Sequence, residues 1–190
     1  MKTLVFIIAG LAVVLSACSR TSPDEFLAKA EAARQNAHKQ ADTLHNRNRL
    51  PEVFKSALNL YEKVSKDYPG TPAGETATFM IAQILNSETR QDTLAVDAYK
   101  RFVSEYPQSK QAGISMFMIG YIYNNELQWV DSAAAAYHRF LERYPQHEMA
   151  MAAQQELDHL GKSPEEWLSH DVASGTEKGA LSKKPTGKGN

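Results

Sequence analysis

Aromatic and small apolar residues return along this chain at a constant interval of 38 residues. Residues 57–69 carry alanine, tyrosine, valine and tyrosine at the first, fifth, eighth and twelfth positions, followed by proline. Residues 95–107 and 133–145 repeat this order, with phenylalanine in place of valine. Between these segments, the run Phe79-Met80-Ile81 returns as Phe117-Met118-Ile119. So many positions in one register indicate an internal structural repeat.

Within each repeat, the apolar positions are spaced as on one face of an α-helix. The proline that follows ends the helix, because the residue before proline is pushed out of the α region. Thr71 and Pro72 have the residue types of a helix N-cap and a first helical position. The expected caps of other helices are Ser109, either Gln146 or His147, Asp92 and Asp131.

The predicted map is entirely helical. No segment alternates apolar and polar residues with period two, so no strand is expected. The expected helices span residues 24–46, 51–68, 72–87, 92–106, 110–125, 131–144 and 147–160. The seventh helix keeps the 38-residue register but has polar residues at Gln155, Glu156 and Asp158, where the fifth is apolar. A polar outer face is what closes a stack of helices, and Gly161 is the expected stop.

The repeat resembles the tetratricopeptide repeat, which has Gly or Ala and Tyr on its first helix and Ala, an aromatic residue and Pro on its second. Gly120 and Tyr123 match the first helix, and Ala133, Tyr137 and Pro145 match the second. The interval exceeds the common length of about 34 residues, so extended helices or turns are expected. The resemblance implies an all-α fold, a right-handed α-solenoid of about three helix pairs plus a C-terminal capping helix, over residues 24–168.

Proteins of this kind usually bind partners in a groove lined by the first helices of successive units. With Ala82 and Gly120 as reference positions, the resemblance implies the groove residues Phe79, Gln83, Asn86, Ser87, Phe117, Tyr121, Asn124 and Asn125. Side-chain amides satisfy a peptide backbone while aromatic rings supply apolar area, which suits the capture of an extended or helical peptide. Phe79 and Phe117 are explained equally well as core residues.

The N-terminus has the layout of a secretory signal, with Lys2, an apolar run over residues 4–15, and small residues after it. About a dozen apolar residues span only about 18 Å as a helix, short of a hydrocarbon core of about 30 Å, so cleavage is favoured. Leu15-Ser16-Ala17-Cys18 resembles the lipobox of bacterial lipoproteins. That resemblance implies a signal peptide over residues 1–17 and diacylglycerol plus an N-acyl chain, commonly palmitate, on Cys18.

The residue after the cysteine bears on location. Ser19, by resemblance to the sorting rule of enteric bacteria, implies the periplasmic face of the outer membrane rather than the inner membrane. The alternative is an ordinary cleaved signal with an incidental cysteine. In the lipobox interpretation, residues 18–23 are the lipidated cysteine and a tether. Residues 169–190 are rich in Gly, Ser, Thr and Lys, and we expect them to be a disordered tail.

Composition narrows the function classes. The 190 residues carry a formal net charge of -1, which argues against a nucleic-acid partner. A single cysteine forms no internal disulfide and no cysteine-based metal site. The motifs of hydrolases, zinc peptidases and nucleotide-binding loops are missing from the sequence, and His38 and His45 would need carboxylate partners to hold a metal. We therefore expect no enzyme activity, cofactor, metal or small-molecule substrate.

The Tyr-Pro-x-Ser run at residues 106–109, after Tyr99 and Phe102, resembles two envelope families. One is the BamD-type lipoprotein of the β-barrel assembly machine, and the other is the periplasmic repeat protein associated with the Tol-Pal system. The lipobox favours the first, so a protein-binding scaffold in outer membrane assembly is expected. The alternatives are a Tol-Pal or cell-division partner and an accessory of a cell-wall enzyme.

Overall fold

The computed structural model describes residues 22–162, and seven α-helices follow one another along this part of the chain. They are α1 Pro23–Ala41, α2 Leu50–Asp67, α3 Pro72–Gln83, α4 Asp92–Glu105, α5 Gln111–Tyr121, α6 Val130–Arg143 and α7 Ala150–His159. These residues contain no strand, which confirms the all-α helical solenoid. The predicted signal peptide, Cys18 and the predicted tail lie outside the described residues.

The repeated residues occupy equivalent buried places in the stack. Alanines 57, 95 and 133 are all 0 % exposed, on α2, α4 and α6. The tyrosines four residues later in each helix are at most 3 % exposed. Each helix packs against the next one in the chain, so these side chains fill the space between consecutive helices. The 38-residue interval therefore marks the core, as the sequence predicted.

Gly120 allows α5 and α6 to approach closely. A methyl group built at this position would lie 2.7 Å from Cδ1 of Tyr137, well inside van der Waals contact. Tyr137 is itself 0 % exposed and fills the space that the glycine leaves. A small residue opposite a large ring is thus a packing requirement of this helix pair.

Two π-helical turns explain part of the long repeat. Residues Ile84–Glu88 and Ile122–Glu126 extend α3 and α5 with hydrogen bonds that reach five residues back. The wider turn accommodates an additional residue in each unit. After each turn one residue has a positive φ, 54° at Arg90 and 57° at Gln128. The first helix of each unit is therefore extended, as the interval of 38 residues required.

The prediction of Thr71 as a cap is confirmed, but the prediction for Asp92 and Asp131 is wrong. The Thr71 hydroxyl accepts a hydrogen bond of 3.1 Å from the backbone N–H of Gly74. By contrast, α4 is preceded by Gln91 and α6 by Trp129, whose side chains make no capping bond. The backbone N–H of each of these two residues instead bonds to a carbonyl six residues earlier, which brings the chain into the helix sooner.

Two predicted helix boundaries also need correction. Helix α1 ends at Ala41 instead of residue 46, because the chain turns there and the Thr43 hydroxyl donates to the Gln40 carbonyl at 2.8 Å. Asn46 then caps a short 3₁₀ turn over Arg47–Arg49. Helix α7 begins at Ala150 instead of residue 147, because the His147 side chain accepts the Met149 backbone N–H at 3.1 Å.

The last helix ends the stack in the predicted way. Ala153 is its only buried residue, and Gln155 and Asp158 are exposed. Gly161 follows with a φ of 71°, the left-handed conformation that commonly ends a helix. Among residues 22–162 no helix has the length and apolar character needed to cross a membrane.

Candidate partner-binding groove

The two phenylalanines predicted for the groove pack toward the second helix of their own unit. The Phe117 ring is 5 % exposed and lies 5.7 Å from Tyr137 and 5.9 Å from Phe140, measured between ring centroids. Phe79 is half-buried, with its ring 5.2 Å from that of Phe102. The structure thus places Phe117 in the core, which is the alternative that the sequence left open, and leaves only part of Phe79 accessible.

The groove residues predicted on α3 and its π turn remain accessible. Gln83 and Asn86 are half-buried, and neither side chain has a hydrogen-bond partner among residues 22–162. Ser87 is exposed, and its hydroxyl donates to the Gln83 carbonyl at 2.7 Å. Two amide side chains are therefore available to a ligand on this unit.

The residues predicted on α5 and its π turn are more engaged. The Tyr121 ring stacks on Phe117 with centroids 6.4 Å apart. The Asn125 amide donates to the Tyr121 carbonyl at 3.2 Å and remains exposed. The Asn124 amide donates to the Glu156 carboxylate at 2.9 Å, which connects the π turn after α5 to the last helix. These contacts fix the direction of the amides before any partner binds.

A polar cleft of about 720 Å³ opens between the π turn after α5 and helix α7. Four amide side chains line it, from Asn124, Asn125, Gln128 and Gln155. Its other lining residues are Val130, Ala152, Glu156, His159, Gly161 and Lys162. We call the accessible surface formed by Gln83, Asn86, Ser87, Tyr121, Asn124, Asn125 and this cleft the groove face.

The sequence prediction stopped one helix short of this cleft. Adding 38 to the numbers of Phe117, Tyr121 and Asn124 gives Gln155, His159 and Lys162, all of which line it. The 38-residue register therefore places groove residues on α7 as well as on α3 and α5. From the sequence, the polar residues of α7 are interpreted only as the exposed end of the stack. Gln128 had no such signal, because it lies in the turn after the helix.

Ion pairs hold the helices that carry the groove face. Glu88, on the π turn after α3, lies 3.6 Å from Arg34 and 3.2 Å from the His38 ring, both on α1. Arg90 forms an ion pair with Glu126, which joins the two π turns. These contacts connect successive first helices. In the described part of the chain, no group of three His, Cys, Asp or Glu side chains could hold a metal ion. His38 contacts the Glu88 carboxylate, and His45 is not part of this contact.

One carboxylate in this region has a strongly shifted pKa. Hydrogen bonds from Arg34 lower the pKa of Glu31 to about 2, aided by hydrogen bonds from Tyr61 and Gln35 and opposed by burial. The Tyr61 hydroxyl donates to Glu31 at 2.7 Å, and burial together with this contact raises the pKa of Tyr61. The cluster joins α1 to α2 and is structural, since its groups already have partners.

Seven consecutive helices with repeated packing define a helical-repeat protein. Residues 76–109 and 115–147 each match the family model of the tetratricopeptide repeat. The matched segments contain α4 and α6 with most of α3 and most of α5. No curated protein matches the chain significantly. Tetratricopeptide repeats typically act as scaffolds for protein–protein interaction rather than as enzymes, and this chain has the corresponding fold.

Proposed function

We propose that this protein is a scaffold held by lipid on Cys18 at the periplasmic face of the outer membrane, where its groove face binds a protein partner. The observation that carries the proposal is the cleft of about 720 Å³ lined by four amide side chains at the C-terminal end of the groove face. The accessible amides of Gln83 and Asn86 lie on the preceding unit, at positions that correspond to Tyr121 and Asn124 in the 38-residue register.

Amide side chains suit a polypeptide ligand. An amide has two N–H donors and a carbonyl acceptor. In the cleft Asn124, Asn125 and Gln128 already donate within the chain, so their carbonyl oxygens, the second N–H of each asparagine and the Gln155 amide are what can satisfy the N–H and C=O groups of an extended backbone. The cleft volume falls within the range of about 300–1,000 Å³ that is usual for ligand sites. A segment of a few residues fits there, with the rest of the partner continuing toward α3.

The membrane part of the proposal rests on the lipobox at residues 15–18. Two or three acyl chains anchor a protein stably, at about 0.8 kcal/mol for each buried CH₂ group, whereas one chain is marginal. The process we favour is assembly of β-barrel proteins in the outer membrane. A role beside the Tol-Pal system, or as an accessory of a cell-wall enzyme, is the alternative.

Recovery of partners from solubilised envelopes tests the groove. Full-length lipidated protein is compared with Asn125→Arg, which places a long cation in the cleft, and with Asn59→Arg, on the exposed face of α2. We expect wild type and Asn59→Arg to recover subunits of the β-barrel assembly machine, and Asn125→Arg to lose them. Recovery of Tol-Pal components would favour the alternative, and equal recovery by all three proteins would contradict the groove.

Fractionation tests the anchor separately. We expect Cys18→Ser to leave the uncleaved precursor or to release the domain into the soluble fraction. Labelling with a palmitate analogue should mark wild type and not this variant. Normal processing with unchanged membrane attachment of Cys18→Ser would contradict the lipid anchor while leaving the groove untouched.

A further inference from the structure

A second cavity, of about 260 Å³, lies where α4, α5 and α6 meet. It shares no residue with the groove face. Its apolar lining consists of Val103, Met116, Ile119 and Ala136, with exposed Ser104 at the edge. Its remaining lining residues are the cations Lys100, Arg139 and Arg143. We call this cavity the junction slot.

The three cations of the junction slot have no carboxylate partner among residues 22–162. Lys100 donates to the Tyr123 hydroxyl at 2.8 Å, and the Arg143 guanidinium lies 5.6 Å from the centre of the Tyr144 ring. By contrast, Arg34, Arg90 and Arg101 on the same helical stack each pair with a glutamate. All three side chains are exposed, so water screens their mutual repulsion, and an anion placed among them would interact favourably with each.

The same junction one repeat earlier shows what is missing. Arg101, 38 residues before Arg139, lies 3.2 Å from Glu62 and 3.1 Å from Glu105. Beside it, the buried hydroxyls of Ser65 and Thr78 are 2.7 Å apart. The first junction therefore satisfies its arginine within the chain.

At the second junction every one of those partners is replaced. Lys100 stands where Glu62 was and Arg143 where Glu105 was, so both carboxylates become cations. Val103 and Met116 stand where the two hydroxyls were, so the polar contact becomes an apolar lining. The arginine is retained while its internal counter-charges are absent, so Arg139 and its two neighbouring cations are available to an anionic group of another molecule.

We propose that the junction slot binds an acidic peptide segment of a partner protein, with one bulky apolar side chain in the slot and flanking Asp or Glu residues on Lys100, Arg139 and Arg143. The volume supports one such side chain, because a cavity of about 150 Å³ already holds benzene. The flanking carboxylates take the place that Glu62 and Glu105 occupy in the first junction. This site is independent of the groove face.

Binding of a defined peptide tests the proposal. The probe is a fluorescent hexapeptide, Glu-Asp-Phe-Leu-Asp-Glu, measured by anisotropy with the full-length chain in a nonionic detergent. Two matched peptides replace Phe and Leu by Ser, or the acids by their amides. We expect the first peptide to bind, each replacement to lower affinity about tenfold or more, and added salt to weaken binding.

Variants locate the site. Arg139→Glu with Arg143→Glu should lower affinity about tenfold or more, whereas Lys39→Glu with Lys110→Glu, an equal charge change at two exposed lysines, should not. Ser104→Phe fills the slot from its exposed edge and should weaken binding without lowering the melting temperature. Asn125→Arg, in the cleft of the groove face, should leave this peptide's affinity unchanged.

Four results would overturn the proposal. One is no binding of the acidic peptide at about 1 mM. A second is an equal loss in both charge-reversed proteins. A third is attachment to phosphatidylglycerol vesicles that requires Arg139 and Arg143 when the peptide does not bind, which assigns the cations to a membrane surface. The last is self-association abolished by the same variants, which assigns the slot to a second copy.

Discussion

Arg90 and Gln128 lie 38 residues apart and adopt nearly the same left-handed backbone conformation, with φ of 54° and 57°. This conformation costs about 1–2 kcal/mol for a residue with a Cβ atom. Side-chain contacts offset that cost, because the Gln128 amide donates to the Asn124 carbonyl at 2.8 Å and Arg90 pairs with Glu126. Both contacts end on the π turn Ile122–Glu126, which Gln128 follows and which Arg90 reaches from the preceding unit.

The backbone at Gln128 reverses the usual ranking of alanine and glycine. We expect Gln128→Gly to be more stable than Gln128→Ala by about 1 kcal/mol, because both lose the amide contacts but only alanine keeps the strain. Urea unfolding of the two variants measures the difference. Asn59, exposed in the interior of α2, is the control, and there alanine should be more stable than glycine by about 1 kcal/mol. A preference for alanine at both positions would contradict the strain.

Gly120 tests the close approach of α5 and α6. We expect Gly120→Ala to lower the free energy of unfolding by about 1–3 kcal/mol, since the new methyl would lie 2.7 Å from Tyr137. The equivalent position on α3 is Ala82, which is 0 % exposed and already accommodates a methyl group. Ala82→Gly should therefore cost about 0.5–1 kcal/mol through helix propensity and lost packing. If denaturant titration showed no change in the free energy of unfolding for Gly120→Ala, Tyr137 would have to move aside for the new methyl group.

The fold followed from the sequence because the repeated residues are the buried ones. Tyr61, Tyr99 and Tyr137 identified the core, and the proline after each second helix identified where that helix ends. The π turns were not predicted, because the spacing of apolar residues shows which face of a helix is buried and not whether a backbone N–H bonds to the fourth or the fifth preceding carbonyl. The Arg90 contact with Glu126 joins two units, and the pattern within one unit does not show it.

The groove was predicted only in part, for a similar reason. The register placed Asn124 on the correct face but gave no sign that Glu156 would accept its amide hydrogen bond. It also could not decide whether Phe117 faces a partner or the core, since an aromatic ring suits both environments. Contacts between helices decided both points, and these join residues about 20 to 32 positions apart in the chain.

Because of Glu31, the free energy of unfolding should depend on pH in the acid range. Its pKa is lowered to about 2 from an ordinary 4.5, so its contribution is complete above about pH 4.5 and is lost as the pH falls toward 2. The side chain is 37 % exposed, and solvent screening limits the expected contribution to about 1 kcal/mol.

Chemical unfolding between pH 2 and pH 6 measures this contribution. Wild type should exceed Glu31→Gln in stability at pH 6, and the difference should vanish near pH 2. Glu25→Gln, which removes an exposed pair with Lys29, is the control and should change little. A difference between wild type and Glu31→Gln that is constant across this range would rule out the carboxylate as its source.

The comparison of the two junctions also predicts that a pair of charge-reversing substitutions stabilises the fold. Lys100→Glu with Arg143→Glu gives the second junction the carboxylates of the first and supplies Arg139 with internal counter-charges. We expect the free energy of unfolding to rise by about 0.5–1 kcal/mol, less what is lost from the Lys100 bond to Tyr123, and binding of the acidic peptide to disappear. Lys100→Gln with Arg143→Gln removes the repulsion without supplying carboxylates, so melting curves of the two double variants separate the effects. If the glutamine variant gains as much stability as the glutamate variant, Arg139 does not use the introduced carboxylates, and the comparison with Arg101 fails.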